Sequence, residues 1–279
     1  MRIEAPAKIN LGLEVVRKRS DGYHDIRTLF QGISLFDTLD IEPATGPGIR
    51  LEGSDPAVAW DETNLVARAA KALQARAGIA AGAFVRVTKR IPAGAGLGGG
   101  SSDAAAALFG LNEVWGTGLS RPELAELGRG LGADVPYFLH GGLCLGEERG
   151  DRLTELPDLP PLVLVLVFPP FPVPTALVYR SLSPAALTSE RKDSKIVRFL
   201  ETGEFGLLEN RLEETIFRLF PGLKEYPGQL RDAGAELSLV TGSGSAVFGL
   251  FRDRAAAERC RADLRVRGEA VCVGTVARL

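Results

Sequence analysis

With 279 residues, 45% of them hydrophobic and 24% charged, the chain has the balance of a folded globular protein, long enough for one large domain or two modest ones. A net charge of −2, with Arg and Lys scattered in short patches, argues against a surface built to hold nucleic acid. The longest apolar run, residues 162–168, is far too short to span a bilayer and residues 1–6 hold no apolar signal core, so no membrane association and a cytoplasmic location are expected.

Residues 3–16 alternate well enough for a strand, with Ile3, Ala5, Ala7, Ile9 and Leu11 on one face. Residues 61–64 open an alanine-rich helix that runs to about Ala77 and is closed by Gly78. A second strand is predicted over residues 84–91. Ser101, Ser102 and Asp103 offer N-caps for a helix over residues 104–114. Ser120 and Glu123 form a capping box, with Pro122 in the first turn of a helix ending near Gly130. Prolines then crowd both sides of a strand at 162–168, which places a domain boundary near Leu156 and divides the chain into 1–156 and 157–279. The second part reads as helices around 195–202 and 207–220, a strand-loop-strand unit over 237–251, a helix from about Arg254 and a strand at 270–276. Strands and helices mixed in this way predict an α+β fold.

The three cysteines, Cys144, Cys260 and Cys272, lack metal-ligand spacing, and His24 and His140 complete no zinc pattern with them; reduced thiols are expected. The chemistry is concentrated instead in residues 92–102, namely Pro92, Ala93, Gly94, Ala95, Gly96, Leu97, Gly98, Gly99, Gly100, Ser101 and Ser102. Glycine permits positive φ and close approach of a ligand to the backbone. The N-terminus of the following helix adds unpaired N–H groups and partial positive charge. Together they make a phosphate site, with a flexible surface loop as the competing interpretation. No lysine precedes Ser101, which excludes the P-loop pattern. Gly94, Gly96 and Gly99 match a dinucleotide fingerprint formally, but Pro92 stands at the entrance and no acidic strand end follows at the required distance.

The pattern P-x-x-x-G-L-G-G-G-S-S before an alanine-rich helix resembles the central motif of the GHMP kinases. Two further segments, 5–13 near the N-terminus and 240–248 near the C-terminus, are similar to that family's other motifs, in the expected order. The resemblance implies a two-domain fold, with an N-terminal ribosomal-protein-like β/α domain and a C-terminal ferredoxin-like α+β domain, and an active site between them. Residues 6–11, 19–24, 28–31 and 131–136 are similar to one branch, whose substrate is a cytidine diphosphate-linked methylerythritol of the non-mevalonate isoprenoid pathway. That branch moves the ATP γ-phosphoryl group to the 2-hydroxyl of the methylerythritol moiety.

Judged by residue type, Asp134 is a turn or N-cap aspartate, and Lys8 lies opposite the apolar face of its strand, toward solvent or a cleft. The resemblance makes Asp134 the catalytic base and Lys8 a paired active-site cation. Tyr23 offers a ring to stack on a pyrimidine and His24 a nitrogen for its edge, although a turn with a half-buried tyrosine fits the same residues. Asn10 is a candidate hydrogen-bonding group for the substrate. Tyr179 is either a second stacking ring or a core aromatic, and Asn64 either approaches adenine or caps its helix. Gly242, Ser243 and Gly244 form a hairpin turn or, as the third motif, close over the glycine loop on the substrate side. Mg²⁺ is expected to arrive with ATP and to be held mainly through phosphates, since the helix after the loop supplies only Glu113. Two other functions compete: a GHMP kinase of another substrate, such as homoserine or a mevalonate derivative, and a non-catalytic nucleotide- or RNA-binding module. The charge and the three motifs argue against the module, and no obligatory protein partner is implied.

Overall fold

The computed structural model describes residues 1–188, 194–265 and 267–278. Packing divides the chain into two interleaved units. The first comprises Met1–Ala7, Leu35–Ala93 and Gly98–Gly141, and the second Lys8–Ser34, Gly94–Leu97 and Gly142–Leu279. These units differ from a single cut near Leu156 because two long strands, β1 (Arg2–Lys18) and β2 (His24–Ala44), each give residues to both.

In the first unit, residues 38–44 of β2 pair antiparallel with β4 (Gly82–Thr88), which pairs in parallel with β3 (Ile49–Gly53). Four helices join this sheet: α1 (Leu65–Ala77), α2 (Gly99–Trp115), α3 (Arg121–Arg129) and α4 (Val135–His140). The Asn64 side chain caps α1 and Gly78 closes it in the left-handed region, while the Ser120–Glu123 capping box starts α3, as expected. Small residues let α1 and α2 lie close, so Ala69, Ala70, Ala104 and Ala107 share a core with Leu39, Ile41, Val85 and Leu108. Gly110 is required there: a Cβ would stand 2.4 Å from the Ile3 δ-methyl and 2.5 Å from that of Ile41.

The start of α2 differs from the expected one. The helix begins at Gly99 with Gly98 as its N-cap, so Ser101, Ser102 and Asp103 occupy its first turns instead of preceding them. Gly98 can take φ +73°, and the Ser102 hydroxyl is spent on the Pro6 carbonyl at 2.6 Å.

In the second unit, residues 26–31 of β2 pair with β5 (Leu143–Glu148), which pairs with β6 (Arg152–Glu155). A separate antiparallel sheet joins β7 (Val163–Phe168), β8 (Leu237–Val240), β9 (Val247–Phe251) and β10 (Glu269–Gly274) in the order β10-β7-β9-β8. Helices α5 (Thr175–Arg180), α6 (Lys195–Thr202), α7 (Glu213–Leu219) and α8 (Glu225–Asp232) lie between β7 and β8 in the chain, and α9 (Arg254–Asp263) lies between β9 and β10. A strand order of fourth, first, third, second is the ferredoxin-like arrangement that was expected. Its core gathers Val165, Val167, Val178, Ile216, Leu230, Val240, Val247 and Ala257.

Sequence alternation does not predict β2. Its first ten residues are buried on both faces and include His24, Asp25, Arg27, Thr28 and Gln31, which erase the two-residue period. No helix among the described residues is long and apolar enough to cross a membrane.

Candidate active site

The expected apolar face of β1 is fully buried through Ala5, Ala7, Ile9 and Leu11. The opposite face is buried as well, so Lys8 and Asn10 point inward instead of to solvent. The Lys8 ammonium donates to Asn10 Oδ1 at 2.7 Å and to the Gly96 carbonyl at 2.9 Å, and lies 5.5 Å from the Phe30 ring centroid. Burying a lysine is costly unless its donors find acceptors, and here they do. Asn10 Nδ2 in turn donates to Thr28 Oγ1 at 2.7 Å, and that hydroxyl donates to the Gly12 carbonyl. Both ends of the Asn10 amide are therefore engaged within the protein, orienting Lys8.

The glycine loop is fixed along its length. Gly94, Gly96 and Gly98 have φ of +70°, +80° and +73°, so every second residue is in the left-handed region while Ala95 and Leu97 are buried between them. Carbonyls 95, 96 and 97 each accept a hydrogen bond, from Ala246 N, Lys8 Nζ and Lys8 N respectively. Thr241 to Gly244 meet the same segment: a Cβ on Gly96 would stand 2.4 Å from the Thr241 carbonyl oxygen and 3.1 Å from that of Gly244. The Ser243 hydroxyl shares a hydrogen bond with Thr175 at 2.7 Å, and Asn10 N donates to Thr241 Oγ1 at 3.0 Å. The second unit thus brings together Lys8, Asn10, residues 94–97 and the turn at 242–244.

The first unit holds the rest of the loop. Gly98 offers no capping side chain to α2, and Gly100 is exposed, which leaves first-turn N–H groups for an anion. Pro92 and Ala93 enter the loop from a buried charge cluster. There the Lys89 ammonium sits between Asp37 and Asp103, 2.6 Å from Asp103 Oδ2, while Asp37 Oδ1 accepts from the backbone N–H groups of Arg90 and Ile91. Burial pushes the Asp103 carboxyl up to about 7, with the Asp37 charge adding to it and Lys89 opposing it. Asp134 stands at the N-cap position of α4, yet its side chain makes no capping hydrogen bond. Its turn lies beside the first turn of α2, since a Cβ on Gly132 would be 3.9 Å from Ser101 Oγ.

The His24 and Tyr179 rings meet in the second unit at 5.4 Å, tilted by 34°. Burial, aided by the positive Lys18, lowers the His24 pKa and so favours the uncharged ring, and its buried Nδ1 has no hydrogen-bond partner among the described residues. Tyr179 also packs against the core of that unit, so both expected roles are open to it. Tyr23 is 57% exposed, and the Arg149 guanidinium lies 4.6 Å from its ring centroid. Asn64 is occupied at both ends of its amide, by Val66 N at 2.9 Å and the Ala59 carbonyl at 2.8 Å, in the capping arrangement.

Asp37, Lys89, Asp103, Thr28 and Asn210 are absent from the expected set. Asn210 Nδ2 donates to the carbonyls of Val240 and Gly242 at 2.8 and 2.7 Å. For Asp103, its position beside Ser102 was a signal; Asp37 and Asn210 reach partners 30 or more residues away, which local spacing does not reveal.

Models of two family domains match the chain: the GHMP kinases N terminal domain over residues 64–142 and the GHMP kinases C terminal over residues 198–270. A 4-diphosphocytidyl-2-C-methyl-D-erythritol kinase of Pelotomaculum thermopropionicum is 45% identical over 275 residues, covering 96% of this chain and 95% of that one. Its counterpart in Geobacter sulfurreducens is 42% identical over 269 residues, with 96% and 95% covered. A crystal structure of 4-(cytidine 5'-diphospho)-2C-methyl-D-erythritol kinase superposes with a TM-score of 0.85 at 41% identity, covering 99% of each chain. The homoserine kinase of Cytophaga hutchinsonii shares the fold, with a TM-score of 0.78 at 18% identity over 100% of this chain and 95% of that one. Both domain matches and this near full-length similarity show that the chain belongs to the GHMP kinases.

Proposed function

We propose that the chain is an ATP-dependent small-molecule kinase that transfers the γ-phosphoryl group to the 2-hydroxyl of 4-diphosphocytidyl-2-C-methyl-D-erythritol and releases ADP. The observation that carries the substrate is His24. A buried imidazole whose lowered pKa favours the uncharged form, with a nitrogen that has no partner among the described residues, lies beside the Tyr179 ring and suits a base that must be gripped by its edge and covered on its face. The relatives that are 42–45% identical carry the name of that reaction.

Asp134 accepts the proton of the attacking hydroxyl, and Lys8 supplies a fixed positive charge for the developing alkoxide. The new bond joins the substrate oxygen to the γ-phosphorus as the bond to the β–γ bridging oxygen breaks, and that oxygen leaves on ADP. The left-handed glycines and the uncapped start of α2 fit a triphosphate, whose oxygens accept from backbone N–H groups. Mg²⁺ arriving with the nucleotide would neutralise phosphate charge, and its ligands would come mainly from the phosphates and not from side chains of this chain. The reaction takes place in the cytoplasm.

ADP release, followed with the cytidine diphosphate-linked methylerythritol, homoserine and mevalonate in parallel, tests the reading. Turnover with the first compound is expected to exceed that with the others by about 10³-fold or more. Comparable turnover with homoserine or mevalonate would overturn the substrate, and ATP retention without turnover would favour a non-catalytic module.

A further inference from the structure

The segment before α7 does more than begin a helix. Asn210 is buried and its amide is fully engaged: Nδ2 donates to the Val240 and Gly242 carbonyls, and Oδ1 accepts from Leu212 N at 3.0 Å. Its backbone neighbours are tied to β1, since Leu13 N donates to the Glu209 carbonyl at 2.9 Å and Arg211 N to the Leu13 carbonyl at 2.8 Å. Glu213, one helical turn on, accepts from Val240 N at 2.7 Å. One short segment therefore grips both the strand that carries Lys8 and the entry to the turn at Gly242.

That turn touches the lysine's own support. Gly242, at φ +58°, packs so closely that a Cβ would lie 3.2 Å from Asn10 Oδ1 and 3.7 Å from Lys8 Nζ. The fully buried Thr241 accepts from Asn10 N at 3.0 Å and donates to Asn10 Oδ1 at 3.4 Å. Asn10 Oδ1 in turn takes the Lys8 ammonium.

We infer that Asn210 is a positioning residue for Lys8, acting through the turn at Thr241 and Gly242 and through Asn10. The inference rests on the assignment of Lys8 as the catalytic cation. The chemistry requires an amide: one nitrogen satisfies two buried carbonyls, where a carboxylate would set its oxygen against both. The β8–β9 ladder, in which Val240 pairs with Val247, supports the strand without Asn210, so the added bonds serve the turn.

The test measures steady-state kinetics, with ATP and the cytidine diphosphate-linked substrate, for Asn210→Asp, Thr241→Val, Thr241→Ser, Lys8→Met and the double variant Lys8→Met/Asn210→Asp. Asn210→Asp and Thr241→Val are expected to lower kcat about fivefold or more, with smaller changes in either KM, and Thr241→Ser to restore most of the loss. In the Lys8→Met background, Asn210→Asp should cost little more, because the group it positions has gone. A smaller loss of kcat, a loss carried mainly by KM, or full additivity with Lys8→Met would overturn the inference. Should Asn210→Asp fail to fold, the Thr241 pair decides by the same criteria. A Lys8→Met enzyme with unchanged kcat would instead remove the assignment of Lys8, and the inference with it.

Discussion

The Lys8 ammonium donates to the side-chain oxygen of Asn10, two residues along the same face of β1, at 2.7 Å. Period-two geometry puts the two side chains side by side, and burial on both faces of the strand makes the contact obligatory instead of incidental. Asn10→Ala removes an acceptor from a buried cation and a donor from Thr28. The expected result is a loss of about 1–3 kcal/mol in stability and about a tenfold fall in kcat, with KM changed less than threefold. Urea denaturation and initial rates measure the two effects. A rise in KM for the alcohol substrate with kcat intact would make Asn10 a substrate ligand instead.

Gly94 and Gly96 separate two costs that sequence treats as one. Both have positive φ, but a Cβ at Gly94 meets nothing within 4 Å, whereas one at Gly96 would stand 2.4 Å from the Thr241 carbonyl oxygen. Gly94→Ala bears only the left-handed penalty of about 1–2 kcal/mol. Gly96→Ala must also move backbone, and about 3 kcal/mol or more is expected. Equal denaturation midpoints for the two variants would show that the contact at Gly96 relaxes freely.

The sequence revealed the features that depend on neighbours in the chain. The alternation of Ala5, Ala7, Ile9 and Leu11, the capping box at Ser120 and the cap at Asn64 are local, and all three stand in the structure. What β1 lacked in sequence was any sign that its second face is covered, so Lys8 could be read as facing either solvent or a cleft. The start of α2 lies about five residues before the expected one for a related reason. Ser102 and Asp103 are good caps in isolation, but Pro6 and Lys89 claim their side chains. Asp37 was invisible, because its partners Lys89, Arg90 and Ile91 lie more than 50 residues away.

Asn64 offers a cleaner decision between the two roles that its sequence position allows. Its oxygen takes Val66 N and its nitrogen gives to the Ala59 carbonyl, so the amide is already used in holding the start of α1. Asn64→Ala is expected to cost about 1 kcal/mol of stability, while the KM for ATP changes less than threefold. A tenfold rise in that KM at unchanged stability would assign the side chain to adenine.

The Lys89 ammonium is shared by two carboxylates, Asp37 and Asp103, at the entrance to the glycine loop. Burial raises Asp103 from 3.8 to about 7, so the folded chain holds this proton more tightly than the unfolded chain does. Between about pH 4 and pH 7 the native state therefore binds more protons at this site, and its contribution to stability falls as pH rises through that window. Asp103→Asn cannot ionise and lacks this slope. Glu213, also pushed up to about 7 by burial, is present in both proteins and cancels in the comparison. The melting temperature of Asp103→Asn, relative to the parent chain, is expected to climb by about 2–4 °C or more from pH 4.5 to pH 8, roughly 1 kcal/mol for a chain of this size. Melting curves measured across that range decide it. Parallel pH profiles would mean that Asp103 stays ionised beside Lys89 throughout, so that the attraction of the ammonium outweighs the cost of burying a second carboxylate.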